Sequence, residues 1–178
     1  MHVGTVSQEV LDALHYALQL EDEGYEFYER LSKITEDPRG RRMYERLRND
    51  ERTHREVIER ELAALRETGA WTGDVASVPS STVFDDAPPI FDAAQAVTSG
   101  AARARELQAL ERGMEAEVKS RDFYAEQAKR ADSPGPRDMW TRLSEIEQTH
   151  LDLLTWEQDS LRGEGYWIDI AQFSMDEL

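Results

Sequence analysis

The chain has 178 residues, no cysteine, and 37 acidic against 21 basic side chains, for a formal charge of −16. The length suits one large domain or two small ones with a real core, and the lack of cysteine excludes disulfides, thiolate metal sites and thiol catalysis. The acidity argues against nucleic acid and anionic membrane as partners, because both need a cationic face, and no run of about 18 apolar residues offers a membrane span.

The opening residues MHVGTVSQEV carry neither a basic nor an apolar region, so a cytoplasmic protein is expected. Residues 7–68 read as a helical hairpin. Leu11, Leu14, Leu18, Tyr25, Tyr28 and Leu31 recur at helical spacing, and Met43, Leu47, Ile58, Leu62 and Leu65 form a second stripe. Between them Asp37 suits an N-cap and Pro38 a first helical turn, and Gly69 is a stop signal. Residues 69–100 are rich in Pro, Ser and Gly and form a long crossover, with a short helix expected at 92–97. Residues 101–162 repeat the hairpin: Leu107, Leu110, Met114 and Tyr124, then a break at Ser133-Pro134-Gly135-Pro136, then Met139, Leu143, Leu154 and Leu161, with Gly163 as the stop. The tail, 163–178, is apolar enough (Tyr166, Trp167, Ile168, Phe173) to pack on the bundle or on a second subunit.

The two hairpins are copies. A shift that carries Leu11 to Leu107 also carries Glu21 to Glu117, Phe27-Tyr28 to Phe123-Tyr124, Pro38 to Pro134, Met43 to Met139, and Glu51, Thr53 and His54 to Glu147, Thr149 and His150. No gap is needed, and a shared acidic composition does not keep one register over such a span. A helix of about 30 residues is about 45 Å long, and the crossover is long enough to run its length. The expected fold is all-α: a four-helix bundle of two duplicated hairpins joined by one long crossover, a single domain.

Each apolar stripe turns polar at the same depth. Glu21 interrupts the first, Glu51 and His54 the second, Glu117 the third, and Glu147 and His150 the fourth. Glu21 and Glu51 flank the first turn symmetrically about Glu36, and Glu117 and Glu147 flank the second about Asp132, so each pair lies about 22 Å from its turn. Residues i and i+3 share a helix face, so each Glu-x-x-His pair points one way. A pseudo-twofold then gathers four glutamates and two histidines, the ligand set of dinuclear carboxylate bundles. Four carboxylates neutralise two divalent cations, and oxygen-rich sites with imidazole suit iron or manganese, with zinc also accommodated. Without metal, six such buried groups face strong carboxylate repulsion.

The strings EDEGYEFY with DERTH downstream, and EVKSRDFY with EIEQTH downstream, resemble the rubrerythrin-like proteins of the ferritin-like superfamily that lack a rubredoxin domain. The resemblance covers nearly the whole chain except the crossover. It implies that Glu21, Glu51, His54, Glu117, Glu147 and His150 are ligands of a carboxylate-bridged pair of iron ions. It also implies that Tyr28 and Tyr124 lie beside the metals, where they donate hydrogen bonds or relay electrons. Reduction of hydrogen peroxide with electrons from an external donor is the implied activity. A ferroxidase using O₂ and a metal-binding protein without turnover are the alternatives. Two departures stand out. No cysteine-ligated iron feeds electrons to the pair, and Ser120 stands one turn after Glu117, where rubrerythrin has a further glutamate nearby; the set is the symmetric one of bacterioferritin. Asp50 precedes Glu51 where Ile146 precedes Glu147, and Asp50 is expected to orient His150 by accepting its ring N–H. His15 reads as a partly buried helix residue rather than a ligand. A homodimer is expected from the apolar tail and crossover.

Overall fold

The computed structural model describes residues 6–72, 100–165, 167 and 168. Among these, every regular element is a helix: α1 (Gln8–Ile34), α2 (Pro38–Thr68), α3 (Gly100–Arg130) and α4 (Pro134–Gly163). No described helix is long and apolar enough to cross a membrane. The helix expected at 92–97, Tyr166 and Phe173 lie outside the described residues.

The helix ends follow their local chemistry. Ser7 caps α1 by accepting from Val10 N, and Asp37 caps α2 by accepting from Arg39 N, with Pro38 in the first turn. Ser133 occupies the cap of α4 without a side-chain bond; Pro136, three residues on, has no N–H to offer. Gly69 closes α2 in the left-handed conformation, φ 72°. Gly163, expected as the stop of α4, is instead its last helical residue, and Gly165 takes the left-handed turn at φ 80°.

α1 packs along α2 and α3 along α4, with α1 touching α3 across the hairpins. Two apolar cores result. One joins Leu14 and Ala17 to Val57, Ile58, Leu62 and Leu65 and to Tyr124, Met139, Trp140 and Leu143. The other joins Tyr28 and Leu31 to Met43, Tyr44 and Leu47 and to Leu110, Leu153, Leu154 and Leu161. Early α1 is thus level with late α2, late α3 and early α4, so α1 runs antiparallel to both α2 and α3. The chain leaves α2 at one end of the bundle and enters α3 at the other. Each buried aliphatic contributes about 1.5–3 kcal/mol, and the two cores clamp the polar layer between them.

The duplication continues past the helices. Glu61 accepts from Thr72 N at 2.9 Å, and Glu157 accepts from Ile168 N at 2.8 Å. Trp71 and Trp167, read from sequence as parts of a crossover and a tail, therefore hold equivalent places after the two hairpins. They differ in fit. Trp167 is fully buried against Gly40, where an added Cβ would lie 2.6 Å from its ring. The residue equivalent to Gly40 is Pro136, and Trp71 beside it is only half-buried. His15 is exposed rather than partly buried and shares a 2.7 Å contact with Arg66. The equivalent pair in the second hairpin is Glu111 with Arg162, at 2.9 Å.

Gly40→Ala is expected to destabilise the fold by about 1–2 kcal/mol. Overpacking against the indole costs about 1–3 kcal/mol and outweighs the gain of about 1 kcal/mol in helix propensity. Gly163→Ala, whose Cβ would meet nothing within 4 Å, serves in urea unfolding as the control that carries the propensity gain without the clash.

Candidate metal centre

Halfway along the bundle, six side chains meet. Glu21 comes from α1, Glu51 and His54 from α2, Glu117 from α3, and Glu147 and His150 from α4, and all are buried. Their ligand atoms form two groups, each within 4.8 Å: Glu21, Glu51, His54 and Glu147, and Glu51, Glu117, Glu147 and His150. Glu51 and Glu147 belong to both, so each could serve two ions at once.

His54 Nδ1 lies 3.4 Å from Glu21 Oε2, 3.7 Å from Glu51 Oε2 and 3.4 Å from Glu147 Oε1. His150 Nδ1 lies 3.7 Å from Glu51 Oε1, 3.6 Å from Glu117 Oε2 and 3.2 Å from Glu147 Oε2. The two imidazoles lie nearly parallel, 5.8 Å apart. Most of these distances are long for hydrogen bonds. They suit atoms arranged around a shared cation, since ligands at about 2.1 Å from an ion lie about 3.0–3.5 Å from one another. Glu21 Oε2, both oxygens of Glu147 and both Nδ1 atoms have no hydrogen-bond partner despite full burial. Orphaned polar atoms are costly, and five of them converging on one centre fit a pair of divalent cations.

The outer contacts hold the donors in place. Tyr28 donates to Glu117 Oε1, and Tyr124 donates to Glu21 Oε1. Each tyrosine sits on one hairpin and each carboxylate on the other. Burial, then the neighbouring Glu117 charge for Tyr28 and Glu21 for Tyr124, pushes both phenols well above their ordinary range, so both remain donors. Tyr28 stacks on Tyr44 at 6.1 Å, and Tyr124 stacks on Trp140 at 5.6 Å. Buried Asp50 lies with Oδ2 3.2 Å from His150 Nε2, so it faces the imidazole and not solvent. Its counterpart Ile146, buried in the first apolar core, offers no acceptor.

Asp50→Leu is expected to weaken the His150 position about 10–100-fold and to spare the His54 position, because a lost acceptor frees the imidazole to turn. Stepwise metal titration checks this: one affinity should fall and the other should hold.

Without metal the cluster must hold protons instead. Burial and the charges of Glu147 and Glu21 raise Glu51 well above the carboxylate range. Burial and Glu147 carry Glu117 to about 8, against the lowering influence of His150. Burial disfavours charge on His54 and His150, but Glu21 beside the first and Glu117 beside the second prevail, and both imidazoles rise well above their usual value. Burial would also raise Glu147, but the His150 and His54 imidazoles beside it hold it well below the usual range.

Two glycines shape the centre: Gly24, one turn beyond Glu21 where the sequence suggests either room for a small oxidant or close helix packing, and Gly113. A Cβ on Gly24 would come within 3.1 Å of Glu51 Cδ, so the space one turn after Glu21 belongs to a site carboxylate. A Cβ on Gly113 would lie 3.2 Å from Leu154 and 3.5 Å from the Tyr28 hydroxyl. Its equivalent is Ala17, also buried, and this pair of small residues in register was the available signal for the close approach of α1 and α3.

The family model for rubrerythrin matches residues 12–157, which include all six buried ligand-type side chains. The chain belongs to the rubrerythrin family. No curated protein and no solved structure matches it. Rubrerythrins are ferritin-like di-iron proteins, and the bundle with its buried Glu/His cluster has that architecture. No cysteine occurs in these 178 residues to build a rubredoxin-type iron site. Glu115, the acidic residue nearest Glu117 in α3, is exposed and stays outside the cluster.

Proposed function

We propose that the six residues hold two iron ions and that the protein reduces hydrogen peroxide with electrons from an external donor. The observation that carries the reading is the pair of overlapping ligand groups with Glu51 and Glu147 in common and five orphaned donor atoms aimed inward. Bound there, the metal pair supplies two electrons for the reaction H₂O₂ + 2 e⁻ + 2 H⁺ → 2 H₂O. The residues do the rest. Four carboxylates balance the charge of two divalent cations. Tyr28 and Tyr124 fix Glu117 and Glu21 and keep their protons close to the reacting volume. The apolar cores above and below exclude bulk water.

A second reading has a specific observation in its favour. The ligand set is symmetric, four glutamates and two histidines with no further buried acid in α3, and this supports oxidation of Fe²⁺ by O₂ as a ferroxidase. Metal analysis of protein purified without oxygen, then stopped-flow mixing of the di-ferrous form with peroxide and with O₂, separates the two. Fast oxidation by peroxide with slow oxidation by O₂ supports the peroxidase. Faster oxidation by O₂, with iron consumed far beyond two per chain, supports the ferroxidase. Manganese- or zinc-filled sites inert to both overturn both.

A further inference from the structure

The reading of the centre as a peroxidase needs a reductant from outside the chain, and the surface carries a face suited to one. A groove of about 510 Å³ lies where the end of α1 meets the start of α3. Phe27 and Ile34 supply apolar surface, Ile34 being 70% exposed, and Arg30, Lys33, Arg105 and Arg112 surround them. Four cations about one apolar depression are unexpected in a chain of charge −16.

The duplication provides an internal comparison. The equivalents of Phe27, Arg30, Lys33, Ile34, Arg105 and Arg112 are Phe123, Glu126, Lys129, Arg130, Glu9 and Tyr16. On that face the charges cancel: Lys129 lies 3.9 Å from Glu126, and Arg130 lies 3.5 Å from Glu9. In the groove, Arg30 lies 3.8 Å from Glu26 and Lys33 lies 2.6 Å from Glu29, which Arg48 also holds. Glu106 lies near Arg105. Arg105 and Arg112 have no salt-bridge partner among the described residues, so the groove keeps a positive excess that its twin lacks. The aromatic floor leads inward. The Phe27 and Tyr28 rings are 5.3 Å apart, and Tyr28 donates to Glu117. Two adjacent side chains thus connect the groove to a carboxylate of the centre.

We propose that this groove docks a small acidic protein that carries one electron at a time, an inference that rests on the peroxidase reading. An acidic partner is repelled by most of the surface and attracted here, which orients the encounter. Each encounter oxidises the carrier by one electron. Two encounters return the pair that one peroxide consumes, with protons taken from solvent.

The test uses the full-length, metal-loaded chain and a plant-type ferredoxin as the acidic probe. Affinity is measured by calorimetry at several salt concentrations. Arg30→Glu/Arg105→Glu/Arg112→Glu should lower it at least tenfold and flatten its salt dependence. Lys129→Glu/Arg130→Glu on the equivalent face, which reverses cations that Glu126 and Glu9 already offset, should leave it nearly unchanged. Reduction of the centre by a small viologen dye should be the same in all variants, showing that the site is intact. No binding by the wild type, or equal binding by the triple variant, overturns the proposal. So does a dimer that becomes a monomer in the triple variant while ferredoxin binding persists, because the groove is then a contact between copies. A wild type that binds ferredoxin through the groove yet takes up no reducible metal overturns the peroxidase reading and leaves the docking surface standing.

Discussion

Replacing Glu51 or Glu147 with alanine is expected to abolish dinuclear metal binding, whereas replacing Glu21 or Glu117 should leave one ion bound. The difference follows from geometry. Glu51 and Glu147 belong to both ligand groups, while Glu21 and Glu117 each belong to one. Losing a shared carboxylate removes a donor from both positions and one of the four negative charges that balance the cations. The metal-free protein should respond the other way. Glu51 sits among Glu21, Glu117 and Glu147 in a buried site, and mutual repulsion there opposes folding. Glu51→Ala should therefore leave the metal-free melting temperature unchanged or higher while it removes the stabilisation by metal. Metal analysis after gel filtration and paired melting curves check both halves. Retention of two ions per chain in both Glu51→Ala and Glu147→Ala would refute the ligand assignment.

Loading the centre is expected to stabilise the fold strongly, more so at alkaline pH, and to release protons. Binding at about 100 times Kd adds about 2.7 kcal/mol per site. Two sites then raise the melting temperature by about 10–20 °C at the usual scale of about 2–4 °C per kcal/mol. The pH dependence follows from the raised groups. Glu51, Glu117, His54 and His150 all have folded values above their unfolded ones, Glu117 at about 8. Their contribution to the metal-free fold is full below the unfolded values and is lost as pH rises through the folded ones. Glu147 is depressed, so its contribution is lost only as pH falls through its folded value. The metal-free protein should therefore weaken as pH rises from about 4, the unfolded carboxylate value, through about 8, the folded value of Glu117. Metal ligands must be deprotonated, so affinity rises over the same range. The gap between loaded and metal-free melting temperatures should widen with pH, and an indicator dye should report protons released on loading at about pH 7. A gap that narrows with rising pH would contradict the protonated cluster.

Much of the molecule is legible in one dimension. Helical periodicity, Asp37-Pro38 and Gly69 mark the first hairpin, and the repeat that carries Glu51-x-x-His54 onto Glu147-x-x-His150 marks the second. Both are local properties, since a helix places i and i+3 on one face whatever surrounds it. Equal distances from the two turns put the glutamates at one level. That argument needs only the rise per residue.

What the tertiary structure decided depends on how one hairpin sits against the other. The tyrosines read as neighbours of the site, but only the packing of α1 on α3 showed that each donates to the glutamate of the opposite hairpin. That packing rests on Ala17 and Gly113, whose small size has meaning only once a second helix lies against them. Trp71 and Trp167 looked like parts of unrelated segments until the bonds from Glu61 and Glu157 showed their equivalence. Gly40 against Pro136 then decided that one indole is buried and the other is not. The duplicated sequence determined two matching half-sites. Close contacts between them, which act over a few ångströms and link residues about a hundred positions apart, joined the halves into one centre and made its two sides unequal.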